Sequence, residues 1–407
     1  MSELMKGIMT ATVAAGPCLT RGRPLPKVFR RGPEVFPEMA RLIRGAQREV
    51  LLQVFVWLPC KSQDTLLAAL VDLQARLKTK PGTASLPVRV KFLVDGTPPG
   101  ASFLKNALAQ LHLDPRLVDV QVATFEHWGL DLLHSKSTVV DGRVGFVTGL
   151  NVQSEDDDVA RPWNDLGFEV EGAQTAGVLR EDFSRNWERA TGHPLAPAPP
   201  TMASEVPDGS VPILVTSRRA NGALGGDSDS PLLQSLVAAI DHSHREIHLV
   251  SPNINAPPIL DAIVRAVRRG VTVKIVASAR FNELLESLPF QGGPNGQTLH
   301  TLRERLRGVR NAGQLLQWRW YSDDGRKAVL GHDPGASHEK YYWFDGQVVS
   351  VGSANLDVQS MGRSAETNVM IDSSSVAQRY DEQAFSPIWE RALRPLSNVT
   401  RKRARSR

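Results

Sequence analysis

Apolar positions along the chain fall into two series that repeat each other. Phe36, Met39, Ala40, Ile43 and Ala46 recur at helical spacing, and residues 48–57 follow as the kind of continuous apolar run that a buried strand shows. The pattern then predicts a helix over 66–78 and a strand over 88–94. In the second series Leu232, Leu233, Leu236, Ala239 and Ile240 make the first helix, a strand follows at 245–251, and 259–269 and 271–277 repeat the helix and strand. The two series close on nearly the same phrase, Trp187-Glu-Arg-Ala190 and Trp389-Glu-Arg-Ala392. Strands alternating with helices predict an α/β architecture of two tandem, pseudo-twofold-related domains, each a mixed β-sheet flanked by helices.

Composition marks the borders. A flexible tail is expected over 1–16, the first domain over 17–190, a Pro-rich extended linker over 191–210, the second domain over 211–396 and a basic tail over 397–407. A chain of 407 residues is too long for one ordinary core and suits two. The second series carries an insertion over 281–324, with a basic amphipathic stretch at 302–310 followed by Trp318, Trp320 and Tyr321. An ordinary packed helix with a solvated Arg face is favoured there over a lid lying on a membrane.

One short motif occurs in both series. The first copy reads His134-Ser-Lys136-Ser-Thr-Val-Val-Asp141-Gly142 and runs on to Gly149-Leu150-Asn151; the second reads His338-Glu-Lys340-Tyr-Tyr-Trp-Phe-Asp345-Gly346 and runs on to Gly352-Ser353-Ala354-Asn355. Asp-Gly between apolar runs predicts a two-residue hairpin turn. On that count Val140 opposes Arg143, Lys136 opposes Val147, His134 opposes Gly149 and His338 opposes Ser353. Period-two alternation then puts imidazole, ammonium and amide on one face of each hairpin, with a small residue opposite the imidazole to leave it room. Asp141 and Asp345 fall in the turns and read as scaffold more than as reacting groups. Lys136, Lys340, Asn151 and Asn355 supply donors for phosphoryl oxygens, and an imidazole near its working pKa can attack phosphorus or protonate a leaving oxygen. Two imidazoles flanking one phosphorus permit in-line displacement.

In these motifs the chain resembles the phospholipase D superfamily, most closely its bacterial cardiolipin synthase branch. The resemblance extends over roughly residues 17–395. The first copy has Thr148 where the family pattern has Gly, and Gly149-Leu150-Asn151 is similar to the cardiolipin synthase form. An acidic residue downstream of each motif braces the catalytic histidine in that family, which implies Glu366 in the second half and Asp165, within Trp163-Asn164-Asp165, in the first; Asn164 stands where Arg is usual. The resemblance implies a catalytic set of His134, Lys136, Asp141, His338, Lys340, Asp345, Asp165 and Glu366. It further implies phosphodiester transfer on phospholipids through a phosphohistidine on His134, with His338 as acid and then base, without metal or cofactor. A nuclease of the same superfamily is the alternative, and a non-catalytic scaffold a more distant one.

Charge and cysteines narrow this picture. Lys and Arg number 48 against 43 Asp and Glu, and residues 401–407 hold the whole excess, so the body is neutral. A neutral body disfavours the basic track a nuclease needs, and the tail reads equally as a solvated terminus or a contact for anionic headgroups, with nucleic acid behind both. Cys18 and Cys60 allow no disulfide framework and no metal-ligand spacing. Asp156-Asp157-Asp158 reads as a solvated acidic loop, and His127 as a loop residue. No apolar run approaches a membrane span and residues 6–18 make a poor signal peptide. A cytoplasmic protein that meets an anionic membrane peripherally, active as a monomer on a phospholipid, is the expectation.

Overall fold

The computed structural model describes residues 1–12, 19–79, 86–96, 100–198, 206–222 and 230–395. Cys18, the centre of the expected linker and the basic tail lie outside the described residues.

The first half contributes strands β1 (Leu19–Pro24), β2 (Phe29–Arg30), β3 (Glu49–Val54), β4 (Val88–Asp95), β5 (Val118–Phe125), β6 (Ser137–Val140), β7 (Val144–Thr148) and β8 (Leu166–Glu171). The second contributes β9 (Val211–Arg218), β10 (Glu246–Ser251), β11 (Thr272–Ala277), β12 (Leu316–Trp320), β13 (Tyr341–Phe344), β14 (Val348–Gly352) and β15 (Glu366–Asp372). Leaving aside the short β2, which pairs with β8, the order across the first half is β5-β4-β3-β6-β7-β8-β1, and the second half repeats it as β12-β11-β10-β13-β14-β15-β9. Three strands in each half are parallel and the rest antiparallel. β1 and β9 pair antiparallel, Leu19 with Leu214 through Gly22 with Val211, so one mixed sheet runs through both halves.

Helices cover both faces. Val35, Phe36, Leu66 and Leu70 pack on one side of the first half, and Leu232, Leu236, Ile259 and Ile263 on the equivalent side of the second. The other face holds a core shared by both halves, in which Phe168, Phe183 and Ile213 meet Val351, Ile371 and Tyr380. Local signals set the helix ends. Ser230 Oγ accepts from the Leu233 N–H ahead of Pro231 to start Pro231–Asp241, and Gly192, at φ 72°, ends Ala173–Thr191.

Two expectations about the fold need correction. The stretch read as a flexible tail contains the helix Glu3–Thr12, whose Leu4, Met5 and Ile8 are buried in the second half's core. Gly7 allows that docking, since a Cβ there would stand 2.7 Å from the His242 ring. In the insertion, Leu299, Leu302 and Leu306 are buried, and Trp318 and Trp320 belong to β12, so residues 299–320 are core and sheet, as the packed-helix reading has it.

The second correction is the hairpin register. Val140 opposes Val144 and Phe344 opposes Val348, so both turns hold three residues. The cause is the motif aspartate. Asp141 sits at φ 54°, and its carboxylate accepts backbone N–H groups from Gln47, Arg48 and Glu49 at 2.8–2.9 Å. Asp345, at the same φ, does the same for His244, Arg245 and Glu246. Each carboxylate thus ties its hairpin to the start of the neighbouring parallel strand. Asp141→Ala is expected to cost about 2–3 kcal/mol of stability, given what hydrogen bonds to charged groups contribute, read as a shifted urea midpoint.

Candidate functional site

The segments leading into the two motifs cross between halves. Leu133 bridges Ala365, and the His134 N–H donates to the Ala365 carbonyl at 2.9 Å. Symmetrically, Ser337 bridges Asn164, and the His338 N–H donates to the Asn164 carbonyl at 2.8 Å. Ala365 and Asn164 immediately precede Glu366 and Asp165. The backbone therefore delivers each carboxylate to the opposite half's histidine. His134 Nδ1 meets Glu366 Oε1 at 2.7 Å, and His338 Nδ1 meets Asp165 Oδ2 at 2.9 Å.

All four groups are buried. Burial would push both carboxyls up, but His134 and Lys136 outweigh it for Glu366, and Lys340 and His338 for Asp165, so both are held below their ordinary values. With Nδ1 committed to a carboxylate, each imidazole keeps Nε2 for chemistry. Burial first, and then the lysines, depress both imidazoles, His338 to about 3. Each histidine also feels the other half's lysine, which places all four motif residues in one electrostatic neighbourhood.

The lysines differ. Lys340 donates to Asp165 Oδ2 at 3.0 Å and stands 2.6 Å from His338 Nδ1. Lys136 donates to the His134 carbonyl at 2.8 Å and lies over the Phe55 ring, 5.3 Å from its centroid. Burial brings Lys136 down to about 7, and among the described residues it forms no ion pair with a carboxylate, so an arriving anion would favour its protonated form. Asn151 Oδ1 accepts from the Val56 N–H at 3.3 Å, beyond the end of β3; Asn355 donates one N–H to Asp357 at 3.0 Å.

The small residues expected opposite the imidazoles serve the carboxylates. A Cβ on Gly149 would fall 2.3 Å from Asp165 Oδ1, and Ser353, its counterpart, donates its hydroxyl to Glu366 Oε2. Gly149→Ala is expected to displace Asp165 from His338 and lower turnover by about 10²-fold, in the range seen when a positioning contact is lost, with a lowered melting temperature because the same carboxylate pairs with buried Lys340. Asn164 also has a defined task. Its Nδ2 donates to the buried Glu339 at 2.6 Å and its Oδ1 accepts from Arg30 at 2.8 Å. Arg30 thereby brings a guanidinium to this segment from β2.

The acidic run is not a solvated loop. Ser154–Asp157 is a short helix in which Asp156 and Asp157 are buried, and Asp156 Oδ2 accepts the Asn151 N–H at 3.1 Å. Burial and Asp165 push the Asp156 carboxyl up to about 8. His127 is a loop residue, with Nε2 at 2.6 Å from Asp95 Oδ1, and Asp95 Oδ2 accepts the Leu133 N–H at 2.6 Å. Asp95, with Asp131 and its partner Arg189, fixes the approach to the first motif. Sequence reading passed over all three, since each looks like an ordinary loop or helix charge.

Two equivalent half-sites with exchanged carboxylates define a duplicated His-x-Lys-x4-Asp protein, a dimer folded within one chain. Residues 236–389 match the family described as cardiolipin synthase, PLD-like domain. Cardiolipin synthase A of Pseudomonas putida strain GB-1 is 26% identical over 375 residues, 90% of this chain and 68% of its own. Cardiolipin synthase A of Pseudomonas aeruginosa strain LESB58 is 27% identical over 289 residues, 67% of this chain and 51% of its own, so the chain spans about half the length of that relative. In fold, phosphatidylserine synthase of Haemophilus influenzae superposes with a TM-score of 0.68 at 14% identity, covering 98% of this chain and 97% of that one. The chain is thus similar to cardiolipin synthases over most of its length, and its second half matches a PLD-like family.

Proposed function

We propose that this chain is an enzyme that transfers phosphatidyl groups on phospholipids through a phosphohistidine, in the manner of a cardiolipin synthase or phospholipase D. The observation that carries the reading is the crosswise bracing of His134 by Glu366 and His338 by Asp165. It gives two oriented imidazoles, with Lys136 and Lys340 beside them, where a single half offers only one.

In the first step His134 Nε2 forms a bond to phosphorus while the phosphorus–oxygen bond to the departing alcohol breaks, and His338 gives that oxygen its proton. In the second step His338 takes the proton of the incoming hydroxyl, whose oxygen displaces His134 from phosphorus. Asp165 keeps His338 in the orientation and tautomer both steps need. Lys136, Lys340, Asn151 and Asn355 stabilise the charge gathering on the non-bridging oxygens. His338 is strongly depressed in the free protein, so it takes up its proton together with the anionic substrate, whose charge adds to that of Asp165.

The names of the relatives support phospholipid as the substrate, and the duplicated site supports activity of a single chain at a membrane surface. No helix among the described residues is long and apolar enough to cross a membrane, so this reading has the protein meeting the bilayer from its side. Purified protein with phosphatidylglycerol vesicles and mass spectrometry of the lipids tests it, with His134→Ala as control. Cardiolipin plus glycerol identifies a synthase and phosphatidic acid a hydrolase. No turnover of any common phospholipid would overturn the reading and direct attention to nucleic-acid phosphodiesters.

A further inference from the structure

Folding leaves few large apolar side chains in water, and where they stand is informative. Among the described residues twelve are exposed, and six of these lie on three segments that lead into the site. Trp128 and Leu130 stand on the loop before His134. Leu284, Leu288 and Phe290 follow Phe281, whose ring is 5.6 Å from that of His338, and Leu330 stands on the loop before His338. Trp128 is 76% exposed, Leu284 84% and Phe290 71%.

These tips are presented by anchored backbone. The Trp128 N–H donates to the buried Asp131 carboxylate at 2.6 Å, and Asp131 is ion-paired with Arg189. Glu286, in the middle of the second segment, is buried and accepts from Asn253 at 2.9 Å and from Asn255. The Gly331 N–H donates to the Ala279 carbonyl at 2.6 Å, tying the third segment to the second. The first and second are joined as well. Gln359 donates to the Leu130 carbonyl at 2.6 Å, and Arg363, one turn further on, donates to the Phe290 carbonyl at 2.9 Å. Polar groups are thus spent inside each loop while the apolar tips point outward, an arrangement that contributes nothing to the core.

We infer that these six side chains form a rim that seats the mouth of the site on a lipid bilayer, with Trp128 and Phe290 entering the headgroup boundary. Separate tips on three loops suit a soft, deformable surface better than the closely complementary face of a protein. Aromatic rings are at home at the headgroup level. The exposed cations Arg326 and Lys327 stand on the third segment, where they would meet anionic headgroups, while Arg280 on the second is paired with Glu283. This inference rests on the phospholipid reading and adds the surface through which substrate arrives.

The test compares the full chain with Trp128→Ala and with the triple variant Leu284→Ser, Leu288→Ser, Phe290→Ser. Sedimentation with phosphatidylglycerol vesicles measures docking, and hydrolysis of bis(p-nitrophenyl) phosphate reports the site without a membrane. The expected result is a loss of vesicle affinity of about tenfold or more for the triple variant, with soluble diester turnover unchanged within about twofold. Equal vesicle binding by wild type and triple variant would overturn the inference. So would a wild type that ignores vesicles, or one whose rim is covered by a second copy, with light scattering showing a dimer that the triple variant abolishes. Turnover of phosphatidylglycerol in detergent micelles without vesicle binding removes the docking surface and leaves the proposed function standing. Rim-dependent vesicle binding without turnover of any phospholipid supports the surface and removes the function.

Discussion

His134→Ala is expected to reduce turnover by about 10⁵-fold, as loss of a nucleophile does when the remaining groups act as one unit with it. No phosphorylated protein should be trapped by rapid quenching. His338→Ala gives a different result. With a p-nitrophenyl diester the leaving group needs no proton, so labelling of His134 proceeds. Without a base to activate the acceptor, the labelled protein then accumulates and the burst equals the protein present. Label on His338 in the wild type would exchange the two roles. The frame is nearly symmetric, and the local difference is that Lys340 lies 2.6 Å from His338 Nδ1 whereas Lys136 rests on the His134 carbonyl.

Asp165→Asn is expected to lower kcat by about 10⁴-fold, by presenting His338 with the wrong tautomer. It should also destabilise the fold by about 3 kcal/mol, because Lys340, buried beside Asp165 at 3.0 Å, loses its counter-charge. Denaturant unfolding as a function of pH checks the origin of this loss. Lys340 and His338 hold the Asp165 carboxyl below its ordinary value despite burial, so its contribution is complete above the unfolded pKa of about 3.9. It is lost as pH falls through the lower native value. The stability gap between wild type and variant should therefore stay constant near neutrality and narrow below about pH 4. A gap that widened in acid would contradict the assigned ionisation.

Much of this was legible in the sequence because periodicity and duplication are local signals that survive without coordinates. The helices from Phe36 and Leu232 and the strands at β3, β4, β10 and β11 follow the apolar pattern within a few residues. The motif histidines, lysines, Asp165 and Glu366 were each identified by position. Their pairing was not. Nothing in the order of residues says that Glu366 serves His134, since that depends on bridges between segments 232 positions apart. The register slipped for a related reason. Asp141-Gly142 was read from turn statistics, whereas Asp141 answers to three N–H groups of a distant strand end. Asp156 and Asp157 were misplaced because acidic runs are usually solvated, and burial of one behind Asn151 leaves no trace in composition. The helix Glu3–Thr12 was missed because Thr and Gly interrupt its apolar face, and its burial depends on a groove beside His242.

The pairing of β1 with β9 has a dynamic consequence. Four consecutive residue pairs, Leu19 to Gly22 against Leu214 to Val211, stitch the halves into one sheet on the pseudo-twofold axis. Such a seam leaves no clamshell. Among the described residues the halves share this continuous sheet and do not meet as two hinged lobes that gape for substrate and snap shut for chemistry. The spacing of the two histidines is then a fixed property of the scaffold, set during folding. Traffic of reactants must be handled by side chains and loops at the rim, so changes in the speed of release should map there and leave the seam untouched.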